Sequence, residues 1–396
     1  MKILCVFGKY QYGDPSRGIG TEFASFISAL KKLGHEIIHF ESWDRKRYSN
    51  YKDLNQALLE TVMREHPEIL LAVQMNYEIF LETLQIIRRN TDTATICWTT
   101  DDSWKYREVS RFIGSAYHAM TTTYAEVIPN YHRDGIGEVL LTQWAANSQF
   151  LLEPLYASEC IYPVSFVGAA NGHRKRRIEQ LLKNGVNVSC FGFGWPGGSI
   201  AADEIPFIMN KSIISLNFSK SRGKNQIKAR TFEVPGSGGF LLTEDAPGLE
   251  NFYSKGKEIE VFHGTQMLIK KIKYYLEYLE KRDQIAWAGF KRTRCDHTYE
   301  NRMEQVLQFA LYARNNWLSC NINPSPPYFS QFDKIHRLNF PLNLLRKALL
   351  LLCVQIWGNE RGLRAARRLI FEFSWRFFGE KTFSASGWPG RMFPEV

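Results

Sequence analysis

Short apolar runs alternate with stretches of helical spacing along the first 150 residues. Apolar runs over 2–7, 36–40 and 69–73 have the length and composition of buried strands. Over 21–33, apolar residues recur three and four positions apart and stop at Gly34, which predicts an amphipathic helix. A second helix is predicted over 77–89, and further strands over 93–98, 119–122 and 139–141. Strands separated by helical crossovers predict a parallel, doubly wound α/β sheet.

The same alternation restarts near Tyr162. Strands are predicted over 164–167, 186–191, 213–218 and 239–243, with a helix over 178–184 between the first two. We therefore predict an α/β protein with two Rossmann-like domains, whose parallel sheets face a cleft, and a C-terminal helical tail. The predicted domains are 1–155 and 156–318, and a proline-rich linker with a basic, aromatic tail occupies 319–396.

The chain is basic, with 50 Lys and Arg against 40 Asp and Glu and a formal charge of +10. Much of the excess lies in 329–396, which holds eleven Lys/Arg and five Asp/Glu. This balance favours an anionic partner such as a nucleotide diphosphate, a lipid phosphate or an anionic membrane. The basic residues form no recognisable nucleic-acid-binding motif, so we expect no nucleic-acid partner.

The seven cysteines are odd in number and widely spaced, which predicts reduced thiols in a cytoplasmic protein and no disulfide framework or zinc site. The N-terminus shows no signal-peptide pattern, and no stretch of eighteen apolar residues predicts a transmembrane helix.

Ligands of doubly wound sheets bind beyond the carboxyl ends of the strands, so the loops after strands are the first places to search. In the first such loop, Gly18 and Gly20 would let a nucleotide approach the backbone, and Thr21 would cap the next helix. Phe23 stands where a dinucleotide fingerprint needs its third glycine, so an NAD site is not supported. The alternative is a plain turn.

A pair of carboxylates, Asp101 and Asp102, follows the strand predicted over 93–98. Neighbouring carboxylates can shift each other's pKa, which suits a catalytic base or an acceptor-binding group. The alternative is that Asp102 or Ser103 caps a helix.

Two later loops are rich in cations. Gly168 precedes four consecutive basic residues, Arg174 to Arg177, of which one or two, with helix amides, could hold a diphosphate while the others face solvent. The second loop carries Lys224, and the helix after it carries Arg230 and Glu233. Their spacing of three places the last two on nearly one helix face, with a carboxylate for ribose hydroxyls and a cation for phosphates.

The segment from about 160 to 310 resembles the C-terminal half of bacterial GT-B glycosyltransferases related to the spore-maturation protein CgeB. The resemblance rests on five motifs in the order of that family: RTFE at 230–233, GSGG at 236–239, LLT at 241–243, FYSKGKE at 252–258 and HTYENR at 297–302. The first domain resembles the family more weakly, through its strand pattern and the segment 98–102.

The resemblance implies an acceptor-binding first domain and a donor-binding second domain, with Glu233 at the donor ribose and Arg230 near the diphosphate. Gly238 lies in the small-residue turn expected beside the donor. In the larger retaining GT-B family a glutamate precedes the ribose glutamate by eight positions, where this chain has Asn225. The retaining mechanism is therefore not carried over, and Asn225, Gln226 and Ile227 are expected to offer backbone amides to phosphate instead.

The function predicted from these features is transfer of a sugar, of hexosyl type, from a nucleoside-diphosphate sugar to a glycan or lipid-linked acceptor in cell-envelope polysaccharide or glycoconjugate synthesis. Arg230, a group near Arg174 and helix amides would stabilise the leaving diphosphate, and Asp101 or Asp102 would be the base. Because no Asp-x-Asp motif stands in a donor loop, no metal and no other cofactor is expected. His297 is expected to be structural. The alternatives are a sugar-nucleotide epimerase and a non-catalytic nucleotide-binding or scaffolding protein.

The tail combines an uncharged run over 348–354 with cations and aromatic residues. The cations are Arg364, Arg367 and Arg368, and the aromatic residues are Phe371, Trp375, Phe377 and Phe378. This mixture suits a helix in a membrane interface, which would place a cytoplasmic protein peripherally at the inner face of the membrane. The alternative is a pair of amphipathic helices packed on the first domain.

Overall fold

The computed structural model describes residues 1–198, 200–221, 224–320 and 332–393. They form two compact units: Met1–Leu141 together with the chain from Gln305 onward, and Thr142–Glu304. The proline-rich linker, residues 321–329, lies outside the described residues. The predicted domain boundaries at 155 and 318 stay a prediction.

The first unit is built on a six-stranded, wholly parallel sheet in the order β2-β1-β3-β4-β5-β6. All six predicted strands form, because runs of apolar residues supply the two buried faces that a parallel sheet needs. The strands are β1 (Lys2–Val6), β2 (Glu36–Phe40), β3 (Ile69–Ala72), β4 (Ala94–Trp98), β5 (Ala119–Thr122) and β6 (Val139–Leu141).

The crossovers of this unit are helical. The predicted first helix begins at Thr21, but Gly20 and not Thr21 occupies the capping position. The helix predicted to begin at residue 77 begins at Leu81, because the carboxylate of Glu78 accepts the amides of Met75 and Asn76 and holds the preceding turn. The helices are α1 (Thr21–Lys32), α2 (Tyr51–Glu65), α3 (Leu81–Asn90), α4 (Asp102–Lys105), α5 (Arg111–Ile113) and α6 (Ile128–Arg133).

The second unit is built on a five-stranded parallel sheet in the order β13-β12-β9-β7-β8, with a small antiparallel ribbon of β10 and β11 beside it. The strands are β7 (Tyr162–Val167), β8 (Ser189–Phe191), β9 (Ser212–Asn217), β10 (Lys220–Ser221), β11 (Lys224–Asn225), β12 (Leu241–Glu244) and β13 (Glu260–Phe262). The helices are α7 (Gly172–Lys183), α8 (Ile205–Asn210), α9 (Arg230–Gly236), α10 (Gly264–Glu277) and α11 (Leu279–Asp296).

The C-terminal helices return to the first unit. They are α12 (Tyr299–Cys320), α13 (Phe332–Ile335), α14 (Phe340–Trp357), α15 (Asn359–Phe378) and α16 (Trp388–Met392). Phe371 of α15 and Phe383 lie in the same core as Tyr51 and Tyr77, and the Phe371 ring lies 5.8 Å from that of Tyr77. One side of α15 therefore packs on the first unit, as the second of the two arrangements expected, and contact of the tail with a membrane stays a prediction.

Candidate functional site

The order in which successive strands are added to the second sheet reverses beside β7. Its neighbours are β8, which follows it directly, and β9, on the opposite side. Crossovers that leave a strand in opposite directions open a crevice at its carboxyl end, where ligands of such folds bind. The residues after Val167, the last residue of β7, therefore line the crevice of this unit.

The turn after β7 is held by side chains on both sides of Gly168. The indole of Trp195 donates to the Gly168 carbonyl at 2.8 Å, and the Asn171 side chain caps α7 by accepting the amide of Arg174 at 3.0 Å. A side chain at Gly168 would meet the ring of Phe166 at 3.1 Å and the Arg174 guanidinium at 3.3 Å. The glycine thus leaves room for Arg174 to fold back over Phe166.

Two guanidinium groups converge on this turn. Arg174 donates to the Ala169 carbonyl at 2.9 Å, and Arg230 donates to the Val167 carbonyl at 3.3 Å. Burial lowers the pKa of both groups, and burial together with the positive charge of Arg174 lowers the pKa of Arg230 to about 10. Two partly desolvated cations at the end of one strand would be stabilised by an anion between them.

Arg230 and Glu233 lie one helical turn apart at the start of α9, as their spacing predicted. The Arg230 guanidinium pairs with a carboxylate oxygen of Glu233, and each side chain remains about one quarter exposed. The pair fixes the direction of the Glu233 carboxylate while keeping it accessible. Glu233 is therefore positioned to accept hydrogen bonds from a ligand that also contacts Arg230.

Asn225, in the ribbon of β10 and β11, and the adjacent Gln226 form hydrogen bonds with backbone carbonyls of their own unit. The side chain of Asn225 donates to the carbonyl of Asp245 at 2.7 Å, while Lys224 is exposed beside it. The expected phosphate contact from the Gln226 amide is wrong, because that amide donates to the Ser219 carbonyl at 3.0 Å. Binding of donor by Lys224 and Asn225 stays a prediction.

Gly238 is required by packing of the chain on itself. Its φ is +72°, and a Cβ there would lie 2.6 Å from the Leu152 carbonyl oxygen and 2.7 Å from the Pro154 nitrogen. Backbone of the same unit thus occupies the space beside it. A contact of Gly238 with donor stays a prediction.

Gly18 and Gly20 belong to the first unit, whereas Gly168, Arg174, Arg230 and Glu233 belong to the second. Gly18 has a φ of +80° and open space where a side chain would stand. The Gly20 amide donates to the Lys9 carbonyl at 2.9 Å and its carbonyl accepts the first helical bond of α1, from Ala24.

The two neighbouring aspartates differ sharply in environment. Asp102 is 1% exposed and accepts hydrogen bonds from Thr99 at 2.6 Å, Ser110 at 2.7 Å and Tyr131 at 2.7 Å. Burial raises the pKa of Asp102. This geometry suits a residue that holds the loop together, and catalysis by Asp102 stays a prediction that the geometry does not favour.

Asp101 precedes the short helix α4 and lies only partly buried. Its backbone is left-handed, with a φ of +57°, and its carbonyl accepts the amides of Trp104 and Lys105. A non-glycine residue held in this conformation costs about 1–3 kcal/mol, and such residues cluster at functional sites. Of the two carboxylates, Asp101 is the accessible one.

His297 is structural, as expected. Arg302 donates to its Nδ1 at 3.0 Å, its Nε2 donates to the Phe252 carbonyl at 2.8 Å, and its ring packs against that of Phe232. Burial lowers the pKa of His297, in keeping with a neutral ring that bridges two elements. Within the described ranges, no cluster of three or more His, Cys, Asp or Glu side chains could hold a metal ion.

Sequence reasoning missed the residues that shape the turn after β7. Asn171 stands three residues before Arg174, which is the spacing of a capping side chain, so its role was readable. Trp195 is brought to Gly168 from the loop after β8, and no local pattern announces such a contact. Arg177 turns away to pair with Glu244 at 3.2 Å, so among the four basic residues Arg174 is the one at the turn.

Residues 174–308 match a family model described as glycosyl transferase-like. This match contains Arg174, Arg230 and Glu233. Among curated proteins, none matches the sequence.

Solved structures resemble the chain over most of its length. Sucrose-phosphate synthase from Thermosynechococcus elongatus aligns with a TM-score of 0.53 and 12% identity over 79% of this chain and 100% of its own. HepE from Anabaena in complex with UDP aligns with a TM-score of 0.54 and 11% identity over 78% of this chain and 100% of its own. A glycosyltransferase from Rickettsia africae aligns with a TM-score of 0.56 and 13% identity over 79% of this chain and 98% of its own. The predicted fold is thus confirmed as two Rossmann-like domains of GT-B type with a helical C-terminal region.

Proposed function

We propose that this protein is a glycosyltransferase that moves a sugar from a nucleoside-diphosphate sugar to an acceptor. The observation that carries the proposal is the convergence of Arg174 and Arg230 at the end of β7, with Glu233 paired to Arg230. The matched segment 174–308 contains all three residues. Structures of similar fold, under 15% identical, are described as complexes with UDP and with UDP-glucose.

In the proposed complex, the diphosphate lies between the two guanidinium groups. The start of α7, a twelve-residue helix that begins at this turn, adds backbone amides and the positive end of its dipole. Glu233 accepts the ribose hydroxyls. One ligand would therefore need both a negative charge and a diol at a fixed separation, which a nucleoside diphosphate provides.

The proposed catalysis is electrostatic. As the bond between the sugar and the β-phosphate breaks, negative charge grows on the leaving oxygen, and Arg230 and Arg174 stabilise it from positions that are already set. We propose that no metal is required, since these cations take its part. Asp101 is the proposed base for the acceptor hydroxyl, because its carboxylate is accessible whereas that of Asp102 is buried.

The finer assignments are also proposals. We propose a hexosyl donor and a glycan or lipid-linked acceptor of envelope polysaccharide or glycoconjugate synthesis, at the inner face of the membrane. The basic tail supports a lipid-linked acceptor, because eleven of its residues over 332–393 are Lys or Arg and four are Asp or Glu.

The test is release of nucleoside diphosphate from UDP-, GDP- and ADP-hexoses, with and without magnesium, in the presence of glycan and lipid-linked acceptors. We expect one donor to turn over and Arg230→Ala to lower kcat by about 100-fold or more. Arg176→Ala is the matched control, since Arg176 lies exposed on α7. Conversion of the donor to an epimer would replace the proposal with an epimerase, and binding without turnover would replace it with a scaffold.

A further inference from the structure

Helix α14 presents an apolar face that the other described residues leave uncovered. Only Leu342 and Cys353 of its eighteen residues are buried. Its outward residues recur with helical spacing along one side: Phe340, Leu344, Leu351, Leu352 and Ile356, which are between 58% and 80% exposed. Within the part of the chain that the structure describes, this is the one helix that is long and apolar enough to cross a membrane by length and composition.

Helix α15 extends the apolar surface. Leu369, Phe373 and Phe377 follow one another at intervals of four residues and are exposed, and the rings of Phe373 and Phe377 lie 4.5 Å apart. Another side of α15 buries Phe371 in the core of the first unit. The pair α14–α15 is thus anchored to a folded body by one side, while apolar residues on other sides face solvent.

The net charge around this surface is positive, although Arg364, Arg368 and Arg376 pair with Glu360 or Glu372. Exposed cations stand on both helices: Lys347, Arg361, Arg364, Arg368 and Arg376. Cations flanking an exposed apolar face match the headgroups and acyl boundary of an anionic lipid surface. A second copy of this chain would bring an equally cationic surface against the first, which like-charge repulsion disfavours.

We propose that the outward faces of α14 and α15, the docking surface, bind a bilayer that contains anionic phospholipid, with α14 lying in the plane of the interface. The helix is about 27 Å long, close to the hydrocarbon thickness of about 30 Å. A spanning orientation would carry Arg346 and Lys347 into the hydrocarbon, and the packing of α15 on the first unit holds the hairpin at the protein surface. In the plane, the long Lys347 side chain reaches the headgroups.

The test is co-sedimentation of the full chain with vesicles of phosphatidylcholine alone and with 30% phosphatidylglycerol, at about 0.15 M salt. We expect binding to the anionic vesicles, weaker binding to the neutral ones, and loss of affinity as salt rises. The double change Leu344→Glu with Leu351→Glu should weaken binding about tenfold or more, because both side chains would enter the acyl boundary.

The matched control is Leu182→Glu with Phe207→Glu, which adds the same charge at positions 60% and 52% exposed in the second unit. It should bind vesicles as the wild type does. Quenching of tryptophan fluorescence by brominated lipid should fall in Trp357→Phe, since Trp357 ends α14 and is 48% exposed.

Three results would overturn the proposal. The wild type could fail to bind anionic vesicles, or the α14 variant could bind as tightly as the control. The chain could also form a dimer in solution that the α14 variant dissociates, which would assign the docking surface to a second copy.

Discussion

Arg230 pairs with Glu233 one turn further along the same helix, so the cation proposed for the diphosphate also orients the carboxylate proposed for the ribose. The arrangement couples the two recognition tasks. A nucleotide that draws Arg230 toward phosphate changes the hydrogen bonding of Glu233, and Glu233 keeps Arg230 aligned before the nucleotide arrives.

The ribose assignment predicts a specific coupling. Glu233→Gln should weaken binding of the preferred nucleoside diphosphate about tenfold, close to 1.4 kcal/mol, because a charge-assisted hydrogen bond becomes a neutral one. Calorimetric titration of wild type and variant with the ribonucleotide and its 2′-deoxy analogue checks this. The deoxy analogue should lose affinity for the wild type and lose less for the variant. Equal losses in both proteins would remove Glu233 from the ribose.

Substitution of Asp101 should lower activity, whereas substitution of Asp102 should lower stability. Asp102→Ala leaves the buried hydroxyls of Thr99, Ser110 and Tyr131 without their acceptor and should destabilise the protein by about 3 kcal/mol. Asp101→Asn should leave stability within about 0.5 kcal/mol, since Asn tolerates the left-handed backbone, and should lower kcat. Urea unfolding and initial rates of both variants separate the roles. Full activity in Asp101→Asn would exclude it as the base.

Gly238 should be needed for stability. Gly238→Ala forces a Cβ to 2.6 Å from the Leu152 carbonyl oxygen at a positive φ, and should cost about 3 kcal/mol. Gly256→Ala is the control, because Gly256 has a similar φ of +77° but open space, and should cost about 1 kcal/mol. Thermal unfolding compares them. Equal losses would show that the contact with residue 152 is unimportant.

Buried His118 should make the protein acid-sensitive. It accepts the Thr95 amide at Nδ1 at 3.0 Å, and burial lowers the pKa of His118 to about 3. Between pH 6.5 and pH 3 the unfolded chain binds this proton and the folded one does not. Stability is therefore fully present above pH 6.5 and falls as pH decreases, by about 1.4 kcal/mol per pH unit from this group.

Urea unfolding between pH 7 and pH 5 measures that slope. His118→Asn keeps an acceptor for the Thr95 amide but cannot titrate, so its stability should fall less steeply with acid. A variant with the wild-type slope would place the proton uptake elsewhere.

The strands of both units were largely predictable because parallel strands are buried on both faces and stand out as apolar runs. The misses have physical causes. Strand β13 is three residues long and begins with charged Glu260, so it lacks an apolar run of its own. Helix α2 has apolar positions four apart at Leu54, Leu58 and Val62, so its sequence does carry a readable helical pattern.

The candidate site was only partly predictable. Arg230 and Glu233 could be paired from their spacing, since three residues make nearly one helical turn. Asp101 and Asp102 could not be ranked, because Asp102 is enclosed by hydroxyls from Ser110 and Tyr131, whose contacts with it no local pattern announces. The exposed side of α14 has the apolar composition of a buried core helix, so only the packed structure shows that this side is exposed.

The most direct test of the account is thermal unfolding of wild type and Glu233→Ala with UDP, GDP, ADP and CMP, each with and without magnesium. A ligand at 100 times its Kd should stabilise the native protein by about 2.7 kcal/mol. The account predicts that one nucleoside diphosphate raises the Tm of the wild type, without magnesium, and raises that of the variant clearly less. No shift with any nucleotide, or an equal shift in both proteins, would contradict it.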